Sequence, residues 1–211
     1  MKFNNPKIGI IGLGYVGLPL AIEFSKKYDS IGFDIDKERI DDLKKGFDKT
    51  NEVNQSVLKN LKNLVFSSDI LFLNDVNIYI VTVPTPVDKN NNPDLTPLIS
   101  ATEIVAKNLR KNDIVIYEST VFPGCTEQIC VPILEKKSDL IYNKDFYCGY
   151  SPERINPGDK KNTLTTIKKI TSGSNPNVSD YIDSIYRSII TAGTYKASSI
   201  MVAEAAKVIE N

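Results

Sequence analysis

The chain has 211 residues, with 26 basic and 26 acidic side chains and zero formal net charge, so no field of one sign draws it to nucleic acid or an anionic membrane. At about 150 residues per domain the length is roughly 1.4 domains, and 41% hydrophobic with 25% charged residues is an ordinary globular composition. Histidine is absent, which excludes Ser-His-Asp and Cys-His dyads, HExxH metal sites and any histidine base, and leaves acid–base chemistry to Lys, Asp, Glu, Tyr or Cys.

Residues 7–12 read as a buried strand, and 15–27 as a helix with Val16, Leu20 and Phe24 on one face. With Lys2 and Lys7 ahead of it, the apolar run 8–22 imitates a signal peptide, but its glycines fall at fixed offsets and Glu23 follows without a cleavage-type site. Residues 30–34 form a second short strand. Asp36 is placed to cap a helix running to about residue 45, and 51–60 read as another helix. Residues 77–83 are rich in β-branched side chains and predict a strong strand, which Pro84 and Pro86 stop. The polar stretch 87–94 reads as a solvated loop. Helices are expected at 96–109, 123–137 and 177–189, and strands at 113–118, 145–150 and 167–171. A last helix, 197–211, carries no terminating signal. Strands alternating with helices predict an α/β fold, a doubly wound, mostly parallel sheet with helices on both faces.

No stretch reaches the ~18 apolar residues of a membrane span. The three cysteines, Cys125, Cys130 and Cys148, are odd in number and contain no CxxC pair, which points to a reducing cytoplasm, to no disulfide framework and to no zinc site. Cys125 lies near a helix start that can favour a thiolate, but packing is the better reading for all three.

Gly12, Gly14 and Gly17 form a G-x-G-x-x-G that follows a strand and opens a helix, and Asp34 lies twenty residues after Gly14 at the next strand's end. That is the context of a Rossmann dinucleotide site. Gly12 allows the turn, Gly14 lets the backbone approach a pyrophosphate, and Gly17 lets helix and strand pack. The helix amino end attracts phosphate. Asp34 accepts from a ribose 2′-hydroxyl and repels a 2′-phosphate, so the expected cofactor is NAD. Ligands in such sheets sit beyond the carboxyl ends of the strands. Three proline-stiffened loops fall there: Thr82, Pro84 and Thr85; Ser119 and Thr120; and residues 150–158 with Glu153 and Arg154.

The segments IGIIGLGYVGLPLA, FDID, VTVPTPVD, ESTVFPG, GYSPERINPGD and TAGTYKASSIMVAEAAKVIEN resemble, in order and nearly end to end, the UDP-glucose/GDP-mannose dehydrogenase family. SPERINPGD and AEAAKVIEN look most like its branch acting on UDP-N-acetylhexosamines for surface polysaccharides. The resemblance implies an NAD-dependent double oxidation at sugar C6, through a cysteine thiohemiacetal and a thioester. It puts Gly12, Gly14, Tyr15, Val16 and Gly17 at the pyrophosphate, Asp34 at the ribose, and Lys37 or Arg39 at the adenosine end. Thr82, Pro84, Thr85, Ser119 and Thr120 stand beside the cofactor, with Thr120 also near the hydrolytic water. Glu153 matches the carboxylate of thioester hydrolysis. Lys207 matches the lysine assisting the alcohol, and Asn211 the asparagine beside it. Arg154, Ile155 and Asn156 join Glu153, Lys207 and Asn211 around the UDP-sugar.

Two positions depart from the family pattern. Pro157 stands where some members carry a second glutamate, and none of the three cysteines matches the nucleophile. The expectation is therefore an NAD-binding domain over 1–196 and the start of a long interdomain helix over 197–211, in a longer homodimeric enzyme paired through that helix. Another β-hydroxyacid-type dehydrogenase, or a stand-alone NAD-responsive module, remains the alternative.

Overall fold

Strand β4 (Ile78–Val81) and strand β5 (Ile114–Tyr117) carry only buried residues. Ile78, Ile80, Ile114 and Ile116 join one apolar cluster, while Tyr79, Val81, Val115 and Tyr117 join another. Strands apolar on both faces have to lie inside a sheet covered on both sides. The computed structural model, which describes residues 5–87, 89–90, 92–155 and 163–210, has that arrangement. Asn156 and Asn211 lie outside the described residues.

The other strands are β1 (Lys7–Ile11), β2 (Asp29–Phe33), β3 (Leu64–Ser67), β6 (Tyr147–Tyr150), β7 (Lys169–Gly173) and β8 (Thr194–Lys196). Their order in the sheet is β3-β2-β1-β4-β5-β6-β7-β8. Every neighbouring pair is parallel except β6 and β7, which run antiparallel with Gly149 opposite Gly173. Helices α1 (Gly17–Ser25), α2 (Lys37–Lys44) and α6 (Pro176–Arg187) supply Leu20, Phe24, Leu43, Ile182 and Tyr186 to one cluster. Helices α4 (Thr96–Ala106), α5 (Val131–Ser138) and α7 (Ile200–Glu210) supply Leu98, Val105, Leu134 and Ala203 to the other. The fold is Rossmann-like. Among the described residues no helix is long and apolar enough to cross a membrane.

Several elements differ from the sequence reading. The helix expected at 51–60 shrinks to one turn, α3 (Gln55–Leu58). Ahead of it the Asp48 carboxylate accepts from the amides of Thr50, Glu52 and Val53 and from the Thr50 hydroxyl, and Asn51 sits in the left-handed region. These bonds wrap the segment as a loop where a helix ladder was expected. The first helix begins at Gly17, leaving Tyr15 and Val16 in the turn. The helix at 123–137 opens as a π turn over Thr126–Cys130 before α5. Pro132 has no N–H to donate to residue 128, so the regular ladder cannot run through. Asp36 does cap α2, accepting from Arg39 N. Strands β3 and β8, and a 3₁₀ turn at Ile70–Leu73, were not read.

Helix α7 is tied down by a buried carboxylate. Glu204 is fully buried; its Oε2 accepts from Gly124 N at 2.5 Å and its Oε1 from Thr126 N at 2.9 Å. It thus meets free amides at the start of the π turn and α5 from across the fold. Glu204→Ala leaves both donors buried and unpaired. It should cost about 2–4 kcal/mol, a fall in Tm on the order of 5–15 °C for a chain of this size. A Tm within 2 °C of wild type would show that α7 is held by other contacts.

Asp113, just before β5, is also buried, and its Oδ2 accepts from Arg110 N at 2.8 Å. Burial pushes its carboxyl up to about 7, against the opposing pull of the Arg110 amide and charge. The native state keeps a proton there that the unfolded chain releases near its ordinary 3.8. Stability from this group is therefore complete below about pH 4 and is lost as pH rises through about 7. Asp113→Asn should raise Tm at pH 8 by about 2–6 °C and by less than half as much at pH 5. Thermal scans at the two pH values read the difference, and an equal shift at both would contradict it.

Candidate active site

Two clefts lie at the carboxyl edge of the sheet. They share Gly14, Thr50, Thr82, Val83 and Pro84 and measure about 340 and 500 Å³.

The first cleft is built on the glycine turn. Gly12 has φ +97°, a conformation that disfavours any side chain. A Cβ on Gly17 would overlap Gly12 O and Thr82 Oγ1, whereas a Cβ on Gly14 would meet nothing within 4 Å. Gly14 is thus open cradle and Gly17 close packing. Thr82 pins the turn from the neighbouring strand, its hydroxyl donating to Gly12 O at 2.7 Å. No side chain caps α1, so its amino end is left to a ligand. Asp34 follows β2; its Oδ2 accepts from Leu13 N at 2.8 Å and its Oδ1 from Asp36 N at 3.0 Å. Two amides fix the carboxylate and leave lone pairs for a hydroxyl pair. Ile35, Pro97, Ala101 and Ile104 form an apolar wall.

Arg39 borders this cleft and is nearly buried. Its Nε donates to Leu13 O at 2.9 Å, and Nη1 lies 2.7 Å from Asp48 Oδ1. Nη2 is buried with no partner among the described residues, an orphan donor that a ligand in the cleft can satisfy. Burial would raise the Asp48 carboxyl, but Thr50 and Arg39 hold it below its ordinary value. Lys37 is exposed at the start of α2 and lines neither cleft. The cradle, uncapped helix, fixed carboxylate and orphan guanidinium fit an anionic dinucleotide with a free ribose diol.

The second cleft takes in Tyr15, Val16, Thr85, Thr120, Glu153 and Lys207, with Ser119 and Ile155 beside them. Its loops are stitched together: Thr85 Oγ1 donates to Thr120 O and Ser119 Oγ to Val83 O, both at 2.6 Å. Lys207, on α7, donates to Glu153 O at 2.6 Å. Arg154 turns to the surface, its Nη1 donating to Lys168 O at 3.0 Å.

Beneath this cleft lies a charge cluster that the sequence reading missed. Lys169 Nζ donates to Glu118 Oε2 at 2.7 Å and to Glu153 Oε2 at 2.9 Å. The three side chains belong to residues only 3%, 3% and 6% exposed, respectively. The Tyr186 hydroxyl donates to Glu118 Oε1. Burial, reinforced by the Glu153 charge, raises Glu118 above the ordinary carboxylate range. Burial acts on Glu153 the same way, but Lys169 and the amides of Ile155 and Arg154 outweigh it and hold Glu153 low. Lys169 itself is raised, burial being overcome by its two glutamates. Glu118 stood within the ESTVFPG loop, so its place at the strand end was a signal. Lys169 and Tyr186 carried none.

Cys125, Cys130 and Cys148 are buried core residues with free thiols. The neighbouring Cys130 and burial push the Cys125 thiol up, and burial does so for Cys148. Neither is poised as a thiolate.

Known proteins resemble this chain in sequence and fold. UDP-N-acetyl-D-glucosamine 6-dehydrogenase of Pseudomonas aeruginosa is 59% identical over 205 residues, 97% of this chain and 49% of that protein. Protein CapL of Staphylococcus aureus is 54% identical over 207 residues, 98% of this chain and 49% of that protein. The solved UDP-D-ManNAc dehydrogenase of Pyrococcus horikoshii superposes with a TM-score of 0.89 at 31% identity, over 97% of this chain and 49% of that one. The chain therefore spans about half the length of the relatives it matches. The model of the UDP-glucose/GDP-mannose dehydrogenase family, NAD binding domain, matches residues 6–190. On that match the chain belongs to the UDP-glucose/GDP-mannose dehydrogenase family and carries its NAD binding domain.

Proposed function

We propose that this chain is the NAD-binding half of a nucleotide-sugar 6-dehydrogenase that oxidises the C6 alcohol of a UDP-N-acetylhexosamine to the acid, in the cytoplasm, for surface polysaccharide synthesis. The observation that carries this is the continuity of the two clefts. The dinucleotide cradle and the Glu153–Lys207 cleft meet at Gly14, Thr50, Thr82, Val83 and Pro84, so a cofactor and a second ligand meet there. Relatives more than half identical carry the names of such enzymes.

In this reading Asp34 holds the adenosine ribose, and the amino end of α1 holds the pyrophosphate. When bound, NAD supplies the hydride acceptor. Lys207 turns its ammonium from Glu153 O to the sugar alcohol and stabilises the developing oxyanion. Asn211 is assigned beside it on the family pattern alone. Thr120 and Glu153 orient water for the closing hydrolysis, and Ile155 lies by the sugar nucleotide; Asn156 is assigned there on the family pattern alone. None of Cys125, Cys130 and Cys148 serves as the thiol nucleophile. Residues 197–211 begin an interdomain helix through which the complete enzyme forms a homodimer.

Calorimetric titration of the chain should show NAD binding well above NADP binding. Asp34→Ala should weaken NAD binding about 10–100-fold, the loss of one or two charge-assisted hydrogen bonds. Equal affinity for NAD and NADP would refute the ribose assignment.

The chain alone should produce no NADH with any UDP-sugar. Fused in register to the carboxyl-terminal half of the Pseudomonas aeruginosa relative, it should reduce NAD with UDP-N-acetylglucosamine or UDP-N-acetylgalactosamine. A folded fusion silent with every UDP-hexose and UDP-N-acetylhexosamine would refute the dehydrogenase reading.

A further inference from the structure

The proposal concerns the buried lysine under the second cleft, and it rests on the dehydrogenase reading of that cleft. We propose that Lys169 is a positioning residue that fixes the Glu153 carboxylate, as an anion in one orientation, against the cleft where the second ligand binds.

The argument starts from strand direction. Strand β7 is the one antiparallel partner in the sheet, with Tyr150 opposite Ser172. Its first residue therefore lies at the edge where β5 and β6 end. That first residue is Lys169. Glu118 directly follows β5, and Glu153 follows β6 by three positions. The reversal at β7, which β8 continues, thus places an ammonium between two carboxylates. Helix α6 then returns along the sheet and brings Tyr186 to the same place, its ring 5.8 Å from Lys169 Nζ and its hydroxyl on Glu118.

The hydrogen bonds leave Glu153 little freedom. Its Oε1 accepts from Arg154 N at 2.6 Å and Ile155 N at 2.8 Å. Its Oε2 accepts from Lys169 at 2.9 Å. A carboxylate offers about four acceptor sites, so one remains, on Oε2, for a water or a substrate hydroxyl. That is the acceptor a hydrolytic carboxylate needs. Without Lys169 the carboxyl would take a proton and become a donor at that site.

The charged and titratable groups facing Glu153 are few. Lys169 comes from β7, Glu118 from the end of β5, Tyr186 from α6, Lys207 from α7, and Arg154 from its own loop. Lys207 is bonded to the main-chain oxygen of Glu153, and Arg154 reaches Lys168 O with its guanidinium. Among the described residues, Lys169 is the cation recorded on the carboxylate.

A carbon-13 titration of the Glu153 carboxyl, assigned by comparison with Glu153→Gln, tests this in the 211-residue chain. The wild-type midpoint should lie below the ordinary carboxylate value. Lys169→Met should raise it by more than one unit, and Lys169→Arg should restore it. Glu118→Gln removes the competing carboxylate and should lower it further. NAD affinity, carried mainly by the glycine turn and Asp34 of the other cleft, should stay within threefold of wild type in the folded Lys169 variants. A wild-type midpoint at or above the ordinary value overturns the proposal even if Lys169→Met fails to fold. So does a midpoint that Lys169→Met leaves unmoved.

In the fusion enzyme the acid limb of kcat should follow the same order of midpoints. A fusion without turnover would sink the dehydrogenase reading and leave the titration result standing.

Discussion

Parallel strands deliver all their carboxyl ends to one edge, and the rest of this molecule follows from that constraint. A sheet apolar on both faces, such as the Ile78/Ile80 and Tyr79/Val81 alternation requires, cannot present polar chemistry from its faces. From the parallel strands β1, β2, β4, β5 and β6 the polar groups of the clefts come from the loops beyond the strand ends. Asp34 after β2, Thr82 after β4, Glu118 after β5 and Glu153 after β6 obey this rule. Connections run outward in opposite senses from β1 and β4, and the glycine turn opens into the crevice between them.

The reversed strand adds what a purely parallel sheet would lack. In a parallel sheet every strand brings its amino end to the far edge, so a strand-initial residue never meets the site. Because β7 runs the other way, Lys169 arrives, inside the core, at the edge where β5 and β6 end. Burying three ionised groups is costly, and such clusters are often no more stabilising than apolar residues of the same volume. Their worth here is directional. Lysine donates to both carboxylates and draws both downward; for Glu153 it outweighs burial, whereas burial and the Glu153 charge still leave Glu118 above its ordinary value. Two chemically identical groups at one edge thereby acquire different protonation behaviour.

What the sequence disclosed follows the same physics. Strands β1, β2, β4, β5 and β6 were legible because apolar or β-branched runs sit beside turn signals, and the glycine turn because strand, spacing and Asp34 agree. Strands of four and three residues, β3 and β8, carry no period. The segment around Asn51 to Gln55 looked helical because the accumulated amide bonds to Asp48 are invisible without coordinates. Lys169 and Glu204 were illegible for a shared reason. Each is a lone charge in a regular element, which normally faces water, and only partners 51 and 80 positions away in sequence make it internal. Lys207 is the reverse case. Its motif singled it out, although a lysine in the last turn of a helix would otherwise read as solvated.

The two clefts are mechanically one site because their shared wall is itself cross-linked. The Thr82 hydroxyl holds Gly12 O, and the Ser119 hydroxyl holds Val83 O. Thr85 in turn holds Thr120 O. The glycine turn is therefore joined through loop 82–85 to loop 118–120, which begins with Glu118 and so with the Lys169 cluster. On the far side, Glu204 anchors α7 to the amides of Gly124 and Thr126, and Lys207 follows less than one turn later. A hydroxyl-sized displacement at Thr82 would move both the phosphate cradle and the floor beneath Glu153. In the proposed reading, short side-chain bonds to carbonyls and one buried lysine register cofactor and second ligand against each other. A rigid frame of this kind is what hydride transfer over a few ångströms demands.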